Sequence, residues 1–142
     1  MPALDHFHNV VRNALVKDGW TITHDPFRLT AGQRNMFVDL GAERMLAAAK
    51  GTKKIAVEVK TFMGRSDIAD LEQAIGQYVL YHLLLQRSEP GRTLYIAVPI
   101  DVLNTLFQEV VGLAVREAAL THLIAFDPET EEILEWLPEA TS

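Results

Sequence analysis

The stretch Lys54-Ile55-Ala56-Val57-Glu58-Val59-Lys60 decides the fold and carries most of the chemistry. β-branched residues occupy every second position, and Ala56, Glu58 and Lys60 lie between them, which is the period typical of a β-strand. Successive side chains of a strand point to opposite faces of a sheet. We therefore predict that the branched residues pack into a core while Glu58 and Lys60 project together from the other face.

The sequence before this strand predicts a helix and further strands. Apolar residues at helical spacing indicate a helix from about Leu4 to Asp18. Met36–Leu40 alternates like a strand that ends at Gly41, which places Asp39 near the end of that strand. Two shorter strands are predicted at Trp20–Thr23 and Phe27–Leu29.

The segment Glu43–Ala49 has two interpretations. Its run of alanines favours a helix, whereas the turn residues Lys50 to Lys53 favour a hairpin with the strand that follows. We prefer the hairpin.

The sequence after the strand predicts helices in alternation with strands. Ser66 or Asp67 can cap a helix that runs to about Gln86. A third helix is predicted from a cap at Asp101 to about Ala119, with a break near Gly112. The apolar stripe of the Ser66–Gln86 helix would consist of Ile68, Leu71, Ala74, Ile75, Tyr78, Val79 and Leu83. Strands are predicted at Thr93–Val98, Leu123–Phe126 and Glu132–Trp136.

The predicted elements follow the order α-β-β-β-α-β-α-β-β in one domain of residues 1–142. Such an order indicates an α/β fold, with a mixed central sheet flanked by helices.

Composition and charge narrow the function classes. The chain has no cysteine, which excludes disulfides and thiolate chemistry, and no apolar run long enough for a membrane helix, so we expect a cytoplasmic protein. The net charge of −6 argues at first against nucleic acid. However, residues 1–87 carry 11 Lys+Arg and 9 Asp+Glu, whereas residues 88–142 carry 2 and 10. We therefore expect DNA on the first part and a protein partner on the second.

The polar residues of the first part suggest a metal site. Carboxylates of Asp39 and Glu58 on neighbouring strands can bind Mg²⁺ or Mn²⁺, and the carbonyl of Val59 can add a third oxygen. Lys60 on the same face could position a metal-activated water for phosphodiester hydrolysis. The alternative is that Asp39 forms a turn, and that Glu58 and Lys60 form a solvated strand face with a cross-strand ion pair.

The ordered set of Asp39, Glu58-Val59-Lys60 and Gln77-Tyr78-Val79-Leu80-Tyr81 resembles the motifs of the PD-(D/E)xK restriction-endonuclease-like superfamily. The last element is similar to the Q-x-x-x-Y motif of its RecB-like branch. The resemblance implies an α-β-β-β-α-β core with an extra C-terminal helix and strands. It also implies that Asp39, Glu58, Lys60 and Gln77 are catalytic, with Gln77 orienting the site.

Longer stretches are similar to the XisH family, the fdxN-element excision controlling factors of cyanobacteria. This resemblance implies a role in excision of a DNA element and a XisI-like companion protein. The recombination itself is attributed to a separate site-specific recombinase, another expected partner, and a homodimer is expected because many superfamily members cut as dimers. One alternative is a non-catalytic accessory protein that binds the companion or the recombinase, and another is a toxin- or defence-like nucleic-acid-processing module with RNA as its substrate. The stretches are Asp18–Thr23, Val38–Glu43, Lys54–Lys60, Gly76–Tyr78 and Phe126–Ile133.

The sequence departs from the superfamily pattern at two places. Val38 stands where the motif has proline. Many relatives carry a glutamate on the first helix, and here His8 or Asp5 could take its place.

Two charged segments have both a structural and a functional interpretation. Lys50, Lys53 and Lys54 could form a solubilising turn or a phosphate contact. The acidic segment from Glu129 to Glu139 could be a solvated edge or a partner surface.

Overall fold

The computed structural model describes residues 6–45, 51–118 and 121–138. Within them the chain forms four α-helices, one 3₁₀ turn and eight strands. In chain order these are α1 (His8–Lys17), β1 (Thr21–His24), β2 (Phe27–Ala31), β3 (Arg34–Val38), β4 (Leu40–Met45), β5 (Thr52–Val59), α2 (Asp67–Ser88), β6 (Arg92–Pro99), α3 (Ile100–Asn104), the 3₁₀ turn (Leu106–Gln108), α4 (Val110–Glu117), β7 (Leu123–Asp127) and β8 (Glu132–Leu137).

Six of the strands form one mixed sheet in the order β1-β4-β5-β6-β7-β8. The central strands β5, β6 and β7 run parallel, and the outer neighbours are antiparallel. Strands β2 and β3 form a separate two-stranded hairpin. The predicted α/β fold with a mixed sheet flanked by helices is confirmed, and so are the strands predicted in the second half of the chain.

Each face of the sheet has its own hydrophobic core. On one face, Val11 and Leu15 of α1 pack with Ile55 and Val57 of β5 and with Phe126. On the other face, α2 and the β2–β3 hairpin pack over Ala56 of β5 and its neighbours on β6. The alternation along β5 therefore gives the predicted result, since its branched residues face α1, whereas Ala56 and Glu58 face α2.

The segment around Asp39 differs from the single predicted strand at Met36–Leu40. β3 ends at Val38, the chain bends at Asp39, and β4 begins at Leu40. Five strands precede α2, because the strands predicted at Trp20–Thr23 and Phe27–Leu29 are present as β1 and β2 and the single strand predicted at Met36–Leu40 is divided between β3 and β4. The bend has a physical cause, because the Asp39 carboxylate accepts a hydrogen bond from the Val59 N–H at 2.8 Å. The hairpin predicted at Glu43–Ala49 is confirmed as the antiparallel pair β4–β5, although residues 46–50 at its tip lie outside the described residues.

The predicted boundaries of the helices need three corrections. The helix predicted from Asp101 to Ala119 is divided into α3, the 3₁₀ turn and α4, and Asp101 is not its cap, because Pro99 holds that position. The break falls at Thr105 rather than at Gly112. Thr105 Oγ1 donates to the Asp101 carbonyl at 2.7 Å and Gln108 Nε2 donates to the Leu103 carbonyl at 3.1 Å, so side chains satisfy the groups that end α3.

Helix α2 begins and ends close to the predicted positions, and Ser66 Oγ caps it by accepting from the Ala69 N–H at 3.2 Å. Its predicted apolar stripe is only partly correct. Leu71, Ala74, Tyr78 and Leu85 are the buried residues of this helix, whereas Ile68, Val79 and Leu83 are exposed. The core-facing side of α2 is therefore narrower than the sequence suggests.

Arg92 is a buried charge that the sequence analysis did not identify. Its side chain is 2% exposed at the start of β6, where it donates to the Ile55 carbonyl at 2.9 Å. It also forms ion pairs with Glu89 and Glu43, and its guanidinium lies over the ring of Phe27. Arginine retains its charge when it is buried and so needs such partners.

Gly112 provides a test of the packing between α4 and the 3₁₀ turn. A Cβ at this position would lie 2.2 Å from the Leu106 carbonyl oxygen and 2.4 Å from the Phe107 Cα, both of which are backbone atoms. We expect Gly112→Ala to lower the free energy of unfolding by about 1–3 kcal/mol, measured by urea denaturation. The control is Gly76→Ala on α2, where a Cβ meets nothing within 4 Å and stability should rise by about 0.5–1 kcal/mol. Equal stability of the two variants would contradict this packing.

Candidate metal and phosphodiester site

Two carboxyl groups meet at the end of β5. Leu40 pairs with Val57 in the antiparallel register of β4 and β5, so Asp39 lies beside Glu58. The side chains of Asp39 and Glu58 form a hydrogen bond. The Val59 N–H also donates a hydrogen bond to Asp39 Oδ2. The structure therefore brings together the two carboxylates that the sequence predicted as metal ligands.

Desolvation and the neighbouring Asp39 give Glu58 an unusual pKa. Desolvation, the hydrogen bond to Asp39 and the negative charge of Asp39 raise the pKa of Glu58 from 4.5 to about 9, and the positive charge of Lys60 acts in the opposite direction. Glu58 is therefore protonated at neutral pH. Two adjacent carboxylates repel each other when both are ionised, and either a proton or a cation removes the repulsion.

Lys60 lies close enough to Glu58 for its charge to act on it. Its backbone N–H donates to the Ala97 carbonyl at 2.9 Å, which continues the β5–β6 pairing one residue past the end of β5. The residue also lines a cleft whose other walls come from the loop after β5 and from the first turns of α2. The full lining is Lys60, Thr61, Phe62, Met63, Gly64, Asp70 and Gln73.

Helix α2 supplies polar groups to the same region. Burial and the charges of Glu58 and Asp39 raise the pKa of Tyr81, so its hydroxyl lies within the field of the carboxyl pair. Gln77 lies one turn before Tyr81, and its Oε1 is buried without a hydrogen-bond partner among the described residues. A buried amide oxygen without a partner is costly, so a donor or a cation that reached this oxygen would be stabilised there.

Asp70 is a further polar residue of the cleft that was not predicted from the sequence. This residue lines the cleft with Lys60, and its Oδ2 accepts a hydrogen bond from the Gly64 N–H at 2.9 Å. The spacing of Asp70, Gln73 and Gln77 at i, i+3 and i+7 on one side of the helix could have identified it.

His8 has a different environment from the one proposed for it. Its side chain is 3% exposed, and Nε2 lies 2.7 Å from Asp25 Oδ1 in the turn between β1 and β2. Arg12 binds the other oxygen of Asp25. These contacts hold α1 against the β1–β2 turn, which is a structural role. Asp5, the other candidate on the first helix, lies outside the described residues.

The predicted basic cluster lies away from the site. Lys54 pairs with Glu43 at 3.9 Å near the start of β5, and Lys53 is seven residues before Lys60, about 23 Å along an extended strand. Lys50 lies outside the described residues. The acidic segment begins in the turn before β8, and β8 is an edge strand whose Trp136 packs on Trp20 and Tyr95.

The donor set at the carboxyl pair suits a hard divalent cation. Asp39 and Glu58 offer carboxylate oxygens, and in an extended strand the carbonyl of Val59 points to the same side as its N–H, toward Asp39. Among the described residues no three His, Asp or Glu side chains gather in one place. Two carboxylates with several retained waters are a usual arrangement for Mg²⁺.

Comparison with known proteins places this geometry in a family. The family model described as XisH protein matches residues 1–134, and the chain belongs to the XisH family. A crystal structure of a XisH family protein from Nostoc punctiforme PCC 73102 is 39% identical, covering 94% of this chain and 99% of its own, with a TM-score of 0.84. A fdxN element excision controlling factor protein from Anabaena variabilis is also 39% identical, covering 92% and 97%, with a TM-score of 0.83. The comparison with proteins of curated function finds no match. Within the described residues, no helix is both long and apolar enough to span a bilayer.

The proton on Glu58 predicts how stability depends on pH in metal-free protein. Between pH 4.5 and about 9 the folded protein holds a proton that the unfolded chain has released, so stability is full below this window and falls as the pH rises through it. In EDTA, Glu58→Gln removes the titration and should be more stable than the wild type at pH 8, by on the order of 3 kcal/mol, with little difference near pH 5. Urea denaturation at several pH values measures this, and the exposed Glu72→Gln is the control. Parallel pH profiles for the wild type and Glu58→Gln would contradict the assignment.

Proposed function

We propose that this chain is an excision factor with a divalent-metal-dependent, endonuclease-like site that acts on DNA phosphodiesters. The observation that carries the proposal is the adjacent pair of half-buried acids, Asp39 and Glu58, with Lys60 beside them. Two adjacent carboxylates favour a bound cation when both are ionised, and an acid with a strongly perturbed pKa, such as Glu58, is typical of functional sites. The similarity to the protein from Anabaena variabilis, a fdxN element excision controlling factor, supports the assignment to excision.

The arrangement of elements supports a restriction-endonuclease-like core for this proposal. A helix, α1, precedes antiparallel strands β4 and β5, and helix α2 then leads to β6, which is parallel to β5. The proposed ligands lie at the start of β4 and the end of β5, and the proposed orienting residue Gln77 lies on α2. This is the order in which the superfamily motifs occur along the chain.

The residues have separate roles in the proposed reaction. Asp39, Glu58 and the carbonyl of Val59 would hold Mg²⁺ or Mn²⁺, for which Glu58 has to release its proton. A bound ion supplies an activated water and polarises a phosphoryl oxygen. Lys60 neutralises charge that develops on the phosphate, and it holds the water by a hydrogen bond. Gln77 Oε1, which has no hydrogen-bond partner in the described part of the chain, would orient a water or an ammonium group.

A second candidate function is that of a non-catalytic accessory protein with a XisI-like companion or a recombinase as its partner. The observation in its favour is that the site is complete without a cation, because protonated Glu58 and Asp39 satisfy each other at neutral pH. The acidic second half, with its edge strand β8, would then provide the protein contact.

Metal binding can be tested through the protons that it displaces. Because the pKa of Glu58 is about 9, each ion bound at pH 7 should release close to one proton. Titration calorimetry with Mn²⁺ in two buffers of different ionisation enthalpy measures the number released. We expect Glu58→Gln to abolish binding and Lys53→Ala to leave it unchanged. Binding without proton release would contradict the role of Glu58.

Cleavage distinguishes the two candidate functions. Supercoiled, branched and single-stranded DNA should be incubated with Mg²⁺ or Mn²⁺, with and without the companion protein. We expect cleavage by the wild type, and a loss of at least about 100-fold in Glu58→Gln and in Lys60→Ala, because each removes stabilisation of the transition state.

The matched control for Lys60→Ala is Lys53→Ala, which removes a lysine of the same strand far from the carboxyl pair and should leave cleavage unchanged. Cleavage that survives both Glu58→Gln and Lys60→Ala excludes this site as the source of activity. The accessory function would be favoured if the wild type cleaved none of the DNA substrates and also bound no metal ion.

A further inference from the structure

The solvent side of α2 carries an apolar stripe. Val79, Leu80 and Leu83 are 38%, 48% and 57% exposed, and they lie on the side of the helix opposite its buried residues. With Gly76 they follow the spacing i, i+3, i+4 and i+7, which is one face of a helix. Contiguous apolar surface of this kind marks an interaction site more often than isolated apolar residues do.

The fold of a single chain does not explain why residue 76, in this stripe, is a glycine. A Cβ at this position would meet nothing within 4 Å, and its helical backbone does not require glycine. Glycine destabilises the interior of a helix relative to alanine. Its presence on the exposed stripe is explained if another chain approaches the helix closely here.

The stripe is complementary to itself when two copies pack antiparallel. If a two-fold axis passes between Val79 and Leu80, a residue that precedes the axis in one copy faces, in the other copy, the residue that follows the axis by the same number of positions. Leu83 of one copy then faces Gly76 of the other, a large side chain opposite an open position. Glu72 then faces Arg87, one turn farther out on each side.

The charges at the two ends are available for this contact. Glu72 and Arg87 are both exposed, and no ion pair of the described residues involves either of them. We call Glu72, Gly76, Val79, Leu80, Leu83 and Arg87 the outer α2 face.

We propose that the outer α2 face binds the same face of a second copy of this chain, with the two helices antiparallel about a two-fold axis. Isologous contacts require that a surface complement itself, and the matched positions of Glu72 and Arg87 meet that requirement. A contact of one helix from each copy is at the small end of specific interfaces, so the dimer should dissociate on dilution, with Kd on the order of micromolar. The proposal does not depend on the nuclease-like activity.

Sedimentation equilibrium of the full chain tests the assembly over a range of concentrations. We expect the wild type to form a dimer as concentration rises, and Gly76→Gln to remain monomeric with a melting temperature equal to or above that of the wild type. Val110→Gln, which removes an exposed apolar residue of α4, is the matched control and should dimerise normally. A wild type that stays monomeric throughout, or a Gly76→Gln variant that dimerises as the wild type does, overturns the proposal.

Charge reversal tests the pairing of residues. Glu72→Arg and Arg87→Glu should each weaken the dimer at least tenfold, because each places like charges opposite each other. The double variant Glu72→Arg/Arg87→Glu should recover the wild-type constant. Failure of the double variant to recover it overturns the antiparallel register.

Single cysteines test the axis, since the chain has no cysteine of its own. Leu80→Cys lies next to the axis and should form an interchain disulfide under mild oxidation. Arg87→Cys should not, because the two copies of this position would lie about 22 Å apart along antiparallel helices. Efficient crosslinking of Arg87→Cys would indicate parallel helices and overturn the proposed axis.

Discussion

The hydrogen bond from the Val59 N–H to the Asp39 carboxylate, 2.8 Å long, is the contact on which the site depends. It joins the end of the central strand to the point where the chain leaves the β2–β3 hairpin and enters the main sheet. The same contact bends the chain at Asp39 and holds this carboxyl group against Glu58. Because desolvation and the neighbouring Asp39 raise the pKa of Glu58 to about 9, the fold keeps Glu58 protonated at neutral pH.

Helix α2 has three sides with three different tasks. Leu71, Ala74 and Tyr78 face the core, whereas Tyr81 lies within the field of the carboxyl pair. The remaining side is apolar yet exposed. The apolar residues of α2 therefore extend around more of the helix than its buried side alone. For this reason the apolar pattern of the sequence did not separate the core residues from the exposed ones.

The parts of the fold that follow from local pattern could be predicted from the sequence. Alternation identified β5, and the apolar run identified β6; the α2 cap could be read from Ser66. The proximity of Asp39 and Glu58 followed from the hairpin. Features that depend on partners distant in sequence could not be predicted: the bend at Asp39 needs the Val59 N–H, and the position of His8 needs Asp25. The division between α3 and α4 depends on hydrogen bonds of Thr105 and Gln108 that compete with the helix, and composition does not reveal them. The catalytic roles of the site residues remain predictions.

Buried Arg92 and the carboxyl pair lie at opposite ends of β5. Arg92 holds the Ile55 carbonyl, and Asp39 holds the Val59 N–H. A shift of this strand by one residue would turn both groups away and would move Glu58 into the apolar core under α1. These two hydrogen bonds, made to backbone groups four residues apart, thus fix the register of β5 between its neighbours. Removal of the Arg92 or the Asp39 side chain would therefore favour misaligned, aggregation-prone sheets during refolding.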